Sequence, residues 1–118
     1  MKNSNLASNH LVWIRSLPCL VCGSWPPNQA HHILRDVDRG MGLKASDAYT
    51  LPLCMNCHSQ LHLRGNERAF FGEVGLDPLE WAARLVVLSG RDIAEDIQTE
   101  LGDSWRAYHY NKVKEKLR

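Results

Sequence analysis

Leu51-Pro52-Leu53-Cys54-Met55-Asn56-Cys57-His58-Ser59-Gln60-Leu61-His62 is the stretch on which the fold turns. A Cys-x-x-Cys pair runs directly into a His-x-x-x-His pair, and no Gly or Pro interrupts that second half before Gly65. The half reads as a helix. On it His58 and His62 lie one turn apart on one face, which is how two imidazoles reach a single ion. Tyr49 to Leu53, just ahead, reads as a strand.

Working outward, Cys19-Leu20-Val21-Cys22-Gly23 supplies a matching pair in a tight turn, and the two pairs together use all four cysteines of the chain. Thiolates at this spacing offer four soft ligands to a tetrahedral Zn²⁺. A thioredoxin-like dithiol needs only one pair and leaves the other unexplained. Because such a site does not exist in the unfolded chain, metal binding contributes directly to folding. Between the pairs, Gln29 to Leu34 has strand character and carries His31 and His32, which a strand points to opposite faces. One of them can therefore hold a metal while its neighbour does something else. His10 and His109 read as solvent-facing or hydrogen-bonded residues.

Pro18-Cys19-Leu-Val-Cys22-Gly23, Ala30-His31-His32-Ile33, Gly40-Met41-Gly42-Leu-Lys44 and Leu51 to His62 resemble the zinc-flanked HNH endonucleases, also called ββα-metal or His-Me finger nucleases. Within that family they are most similar to a prophage-type subgroup that includes phage recombination-enhancement nucleases. The resemblance covers about Leu11 to Ser89. It implies an α+β fold: a small ββα-metal core with a four-cysteine zinc site, flanked by helices. It also implies a cytoplasmic, metal-dependent endonuclease that hydrolyses DNA phosphodiesters.

On that resemblance His32 is the general base, and His31, His62 and His58 hold the catalytic metal. Many relatives have an Asn where this chain has Tyr49, and Asp47 is the nearby group that could fix the imidazole tautomer instead. The chemistry would combine a Lewis acid with a neutral imidazole that takes a proton from water. Mg²⁺ or Mn²⁺ suits nuclease turnover, whereas three imidazoles match Zn²⁺ or Ni²⁺ better. Cys19, Cys22, Cys54 and Cys57 hold structural Zn²⁺. Arg35, Arg39, Lys44 and Arg64 are candidate DNA contacts, with Arg68 beside them, and the resemblance allows a recombination or replication protein as partner. The rival class is a non-catalytic zinc-ribbon module that binds nucleic acid or protein, with the histidines incidental or forming a second zinc site.

The rest of the chain sets bounds. At 118 residues and 23% charged content it has room for one domain with an appendage, read as an HNH domain over 1–90 and a C-terminal helical extension over 91–118. No apolar run approaches a membrane span, and the first residues have no signal-peptide core. The net charge of +1 hides an asymmetry: residues 1–70 carry seven Lys/Arg against four Asp/Glu, and residues 71–118 carry seven against nine. A polyanionic partner fits the first part, although the balance is too even for binding by charge alone.

Helical spacing of Leu11, Ile14 and Leu17 predicts a short leading helix over Ala7–Leu17, and residues 35–47 read as a charged loop. Leu76-Asp77-Pro78-Leu79-Glu80-Trp81 predicts a helix start, with Asp77 as N-cap, Pro78 at N1 and a Leu76/Trp81 staple. That helix should stop near Ser89, before Gly90. Ile93, Ile97 and Leu101 continue a helical pattern that Gly102-Asp103-Ser104 is expected to break in two.

Overall fold

The computed structural model describes residues 2–33 and 47–117. Its elements run α1 (Lys2–Arg15), β1 (Gln29–His32), β2 (Thr50–Leu53), α2 (Met55–Arg64), α3 (Glu67–Val74), α4 (Pro78–Val87) and α5 (Ala94–Lys116). This is an α+β fold in which helices flank a two-stranded sheet and a four-cysteine cluster. The expected charged loop, including Arg35, Arg39, Gly40, Gly42 and Lys44, lies outside the described residues.

The sheet is antiparallel, with Gln29 opposite Leu53, His31 opposite Leu51 and His32 opposite Thr50. All of β2 is buried, so its apolar residues do not alternate with polar ones and form a continuous run. Leu51 and Leu53 meet Ile14, Leu20, Ile33 and Leu85 in the core. Asn28 ties the turn before β1 in place: its amide donates to the carbonyls of Leu17 (2.8 Å) and Ser24 (3.1 Å). Leu20 N–H donates to Pro52 O at 3.1 Å, which fastens the first cysteine turn to β2.

α4 starts as its sequence dictates. The Asp77 side chain accepts from Glu80 N at 3.2 Å, Pro78 occupies the first turn, and Leu76 and Trp81 are both buried. α1 docks against the far end of α4, where His10 Nδ1 lies 2.7 Å from Ser89 Oγ and the Trp13 indole donates to Arg91 O at 2.8 Å.

Two expectations differ from the structure. α3 was not anticipated, although Asn66 caps it by accepting from Ala69 N at 3.0 Å and Gly75 ends it at φ 74°. Its Phe70 and Phe71 are buried. The expected break at Gly102-Asp103-Ser104 does not occur, because α5 is continuous through all three. A helix-interior Gly costs about 1 kcal/mol relative to Ala, and burial of Ile97 before it and Trp105 after it outweighs that cost. Arg84 adds a further tie: it stacks 4.0 Å from the Trp81 ring centroid and donates to both carboxylate oxygens of Glu100, at 2.8 and 2.6 Å.

Candidate metal centre

Two local turns build the cysteine cluster. In the first, Gly23 N–H donates to Cys19 O at 2.8 Å and Cys19 N–H to Ser24 O at 3.0 Å, with Gly23 at φ 81°, where a side chain would be strained. In the second, Cys54 is the N-cap of α2 and its sulfur accepts from Cys57 N at 3.3 Å. The same backbone that starts a helix therefore also points two sulfurs inward. All four cysteines are buried, and their sulfurs lie within 4.8 Å of one another.

The geometry fits zinc. A tetrahedron with Zn–S bonds of ~2.3 Å has sulfur–sulfur edges of about 3.8 Å, and Cys22 Sγ lies 3.7 Å from Cys54 Sγ. A disulfide needs ~2.05 Å. Charge points the same way, since four crowded thiols cannot all ionise without a cation. Hydrogen bonding to Cys22 pushes the Cys19 thiol up to about 12. Cys57 is also driven up, by hydrogen bonding with Cys19 and Cys22 and by burial. Hydrogen bonds from Cys19 and Cys57 lower Cys22. Zinc on this set would neutralise the thiolates and join chain segments that are distant in sequence.

Three side chains of α5 back the cluster, among them His109, which the sequence marks only as solvent-facing or hydrogen-bonded. The Trp105 indole donates to Leu20 O at 2.8 Å, His109 Nε2 donates to Cys22 O at 2.9 Å, and the Tyr108 hydroxyl lies 3.9 Å from Cys57 Sγ. They lie 48 to 52 residues beyond the nearest cysteine, so no local pattern points to them.

The histidines form a different arrangement. His58 Nδ1 donates to Gln29 Oε1 at 2.6 Å, which leaves the lone pair on Nε2. That Nε2 sits 3.1 Å from His31 Nδ1 and 3.3 Å from His62 Nε2. Burial holds the His58 pKa below its usual value, and the neighbouring His31 and His62 lower it further. On the other side of the buried His31 ring, Nε2 lies 3.3 Å from Glu67 Oε1, yet neither His31 Nε2 nor Glu67 Oε2 has a hydrogen-bond partner. Gln29 and Glu67 were not singled out from sequence. The imidazoles are thus strung together by contacts to one another, whereas among the described residues it is the cysteines whose ligand atoms all converge.

Of the remaining expected site residues, His32 Nε2 lies 2.7 Å from Asp47 Oδ1, so this nitrogen is already engaged. Tyr49 contributes its carbonyl to Ile33 N at 2.8 Å. Arg64 donates to Glu73 Oε2 at 2.6 Å, and this contact raises its pKa and lowers that of Glu73.

The family described as "Protein of unknown function (DUF968)" matches residues 2–86, more than two thirds of the chain. The chain belongs to the DUF968 family. This DUF968 chain is also similar to the uncharacterized protein YdfU of Escherichia coli (strain K12), with 42% identity over 50 residues. That segment is 42% of this chain and only 14% of YdfU. No solved structure matches.

These findings correct the expectation of an HNH endonuclease, and with it the nuclease and hydrolase activity. The family is DUF968, no solved nuclease fold matches, and the metal-binding group is a four-cysteine cluster. A zinc ion with four protein thiolates has no open position for water, so it has no Lewis-acid or nucleophile-generating role. The expected catalytic Mg²⁺ or Mn²⁺ has no converged ligand set among the described residues. No described helix is long and apolar enough to cross a membrane.

Proposed function

We propose that this chain is a non-hydrolytic zinc-ribbon-type module that binds single-stranded nucleic acid, with Cys19, Cys22, Cys54 and Cys57 holding a structural Zn²⁺. The observation that carries the reading is the convergence of four buried sulfurs within 4.8 Å from two turns far apart in sequence. Zinc there shapes the first turn and the start of α2. Beside the first turn Trp25 is 63% exposed, an aromatic face on which an unpaired base can stack. The excess of Lys/Arg in residues 1–70 supplies attraction to phosphates, with Arg35, Arg39 and Lys44 as its contributors. Arg64 contributes less, because Glu73 already neutralises it. His31, His58 and His62 form an accessory imidazole chain in this reading and are assigned no hydrolytic step.

The test is fluorescence anisotropy with labelled single-stranded and duplex oligonucleotides, with the zinc content measured in the same samples. The reading expects zinc-dependent binding that weakens with salt and with Trp25→Ala, and no cleavage. Binding to neither oligonucleotide by the zinc-loaded protein would leave a protein partner as the better reading. Cleavage that His32→Ala abolishes would overturn it.

A further inference from the structure

α5 places Trp105, Tyr108 and His109 on one face, at helical spacings of three and four, and all three meet the cysteine turns. Trp105 lies so close to the first turn that a Cβ on Gly23 would fall 2.5 Å from its ring. Its N–H donates to Leu20 O at 2.8 Å, inside the first Cys-x-x-Cys pair, and His109 holds the Cys22 carbonyl at 2.9 Å. The Tyr108 hydroxyl has two acceptors in reach, Gln60 Oε1 at 3.3 Å and Cys57 Sγ at 3.9 Å. A zinc-bound thiolate carries more negative charge than a carboxamide oxygen, and hydrogen bonds to charged acceptors are the stronger ones. Tyr108 is partly buried and Cys57 fully so, which keeps their contact out of bulk solvent.

We propose that this face of α5 is a latch over the zinc site, with Tyr108 donating its hydroxyl proton to the Cys57 thiolate and thereby setting how fast the thiolate is attacked and the ion lost. The inference rests on the structural-zinc reading above. Tyr108 is a positioning residue: it touches a ligand of the ion and not the ion. A hydrogen bond withdraws electron density from a thiolate and makes it a poorer nucleophile. α5 lies beyond the family-matched residues 2–86, so on this account a segment outside that match governs the lability of a site inside it.

The test uses the full-length zinc-loaded protein and its Tyr108→Phe and Tyr110→Phe variants, Tyr110 being an exposed tyrosine on the same helix. Zinc release during alkylation by N-ethylmaleimide is followed with a chromogenic chelator, well below the melting temperature. Tyr108→Phe should release zinc roughly two- to tenfold faster, the range implied by one hydrogen bond of ordinary net strength, and Tyr110→Phe should match wild type. In the Co²⁺-substituted protein the thiolate-to-metal charge-transfer band of Tyr108→Phe should move to longer wavelength, a change that loosened packing alone does not produce. If Tyr108→Phe fails to fold, His109→Ala should accelerate release instead, since its exposed ring holds the Cys22 carbonyl. Wild-type rates and an unshifted band in a zinc-loaded Tyr108→Phe protein would overturn the latch while leaving the zinc reading intact. A wild-type protein without zinc would instead overturn the zinc reading itself.

Discussion

The cysteine cluster and the histidine cluster share α2, and they obey different rules. Cys54 and Cys57 open α2, and His58 and His62 continue it. Four buried thiols have few hydrogen-bond options and crowd within 4.8 Å of one another, a separation that a cation between them makes favourable. The imidazoles have alternatives: Gln29 takes the outer nitrogen of His58, Asp47 takes His32, and His31 lies against Glu67. Residue types that can ligate a metal are thus a weaker indication than ligand atoms left with nowhere else to go.

The sharpest way to break the comparison is to remove one member of each cluster. Cys54→Ser should cost more than about 4 kcal/mol, the scale of mutations that lose a structural metal, and should leave the chain largely unfolded by circular dichroism. His58→Ala should cost less than about 1.5 kcal/mol, the upper end for one hydrogen bond, and keep the zinc content at one ion per chain. Equal losses in chemical denaturation would erase the distinction.

A smaller effect than the cysteine loss is expected where α5 meets the cluster. Trp105→Ala removes a buried ring and a buried hydrogen bond, and large-to-small changes of this kind cost about 3–5 kcal/mol. The variant should still bind zinc when the ion is in excess, which separates packing from ligation. Thermal melts with and without added zinc measure both.

The smallest effect is a pH dependence away from the metal. Burial lowers the His10 pKa below 6.5, and a nearby Asp47 opposes the shift only in part. As the pH falls below 6.5 the unfolded chain therefore takes up a proton at His10 that the folded chain refuses. Stability from this group is complete above about pH 6.5 and is lost as the pH falls toward the lowered value. His10→Gln should flatten that limb of the stability profile relative to wild type.

What the sequence disclosed follows from how local the signals are. The cysteine pairs and the Asp77-Pro78 helix start were legible because spacing of three or four residues fixes them. α3 is not evident from sequence even though its Asn66 cap and Gly75 stop are local, because in the short Glu67–Val74 stretch the two buried residues, Phe70 and Phe71, are adjacent and mark no helical period. The continuity of α5 was misread because Gly102 argues locally for a break, and burial of Trp105 against a turn 85 residues away decides otherwise. Asp47 beside His32 is legible because it lies close in sequence, whereas Gln29 against His58 and Glu67 against His31 are separated by 29 and 36 residues and no spacing rule reaches them.

Zinc K-edge X-ray absorption on the purified protein tests the central claim most directly. The account predicts one zinc per chain with four sulfur neighbours at ~2.3 Å and no nitrogen or oxygen in the ligand shell. A shell containing nitrogen or oxygen, or a protein that folds without zinc, would contradict it.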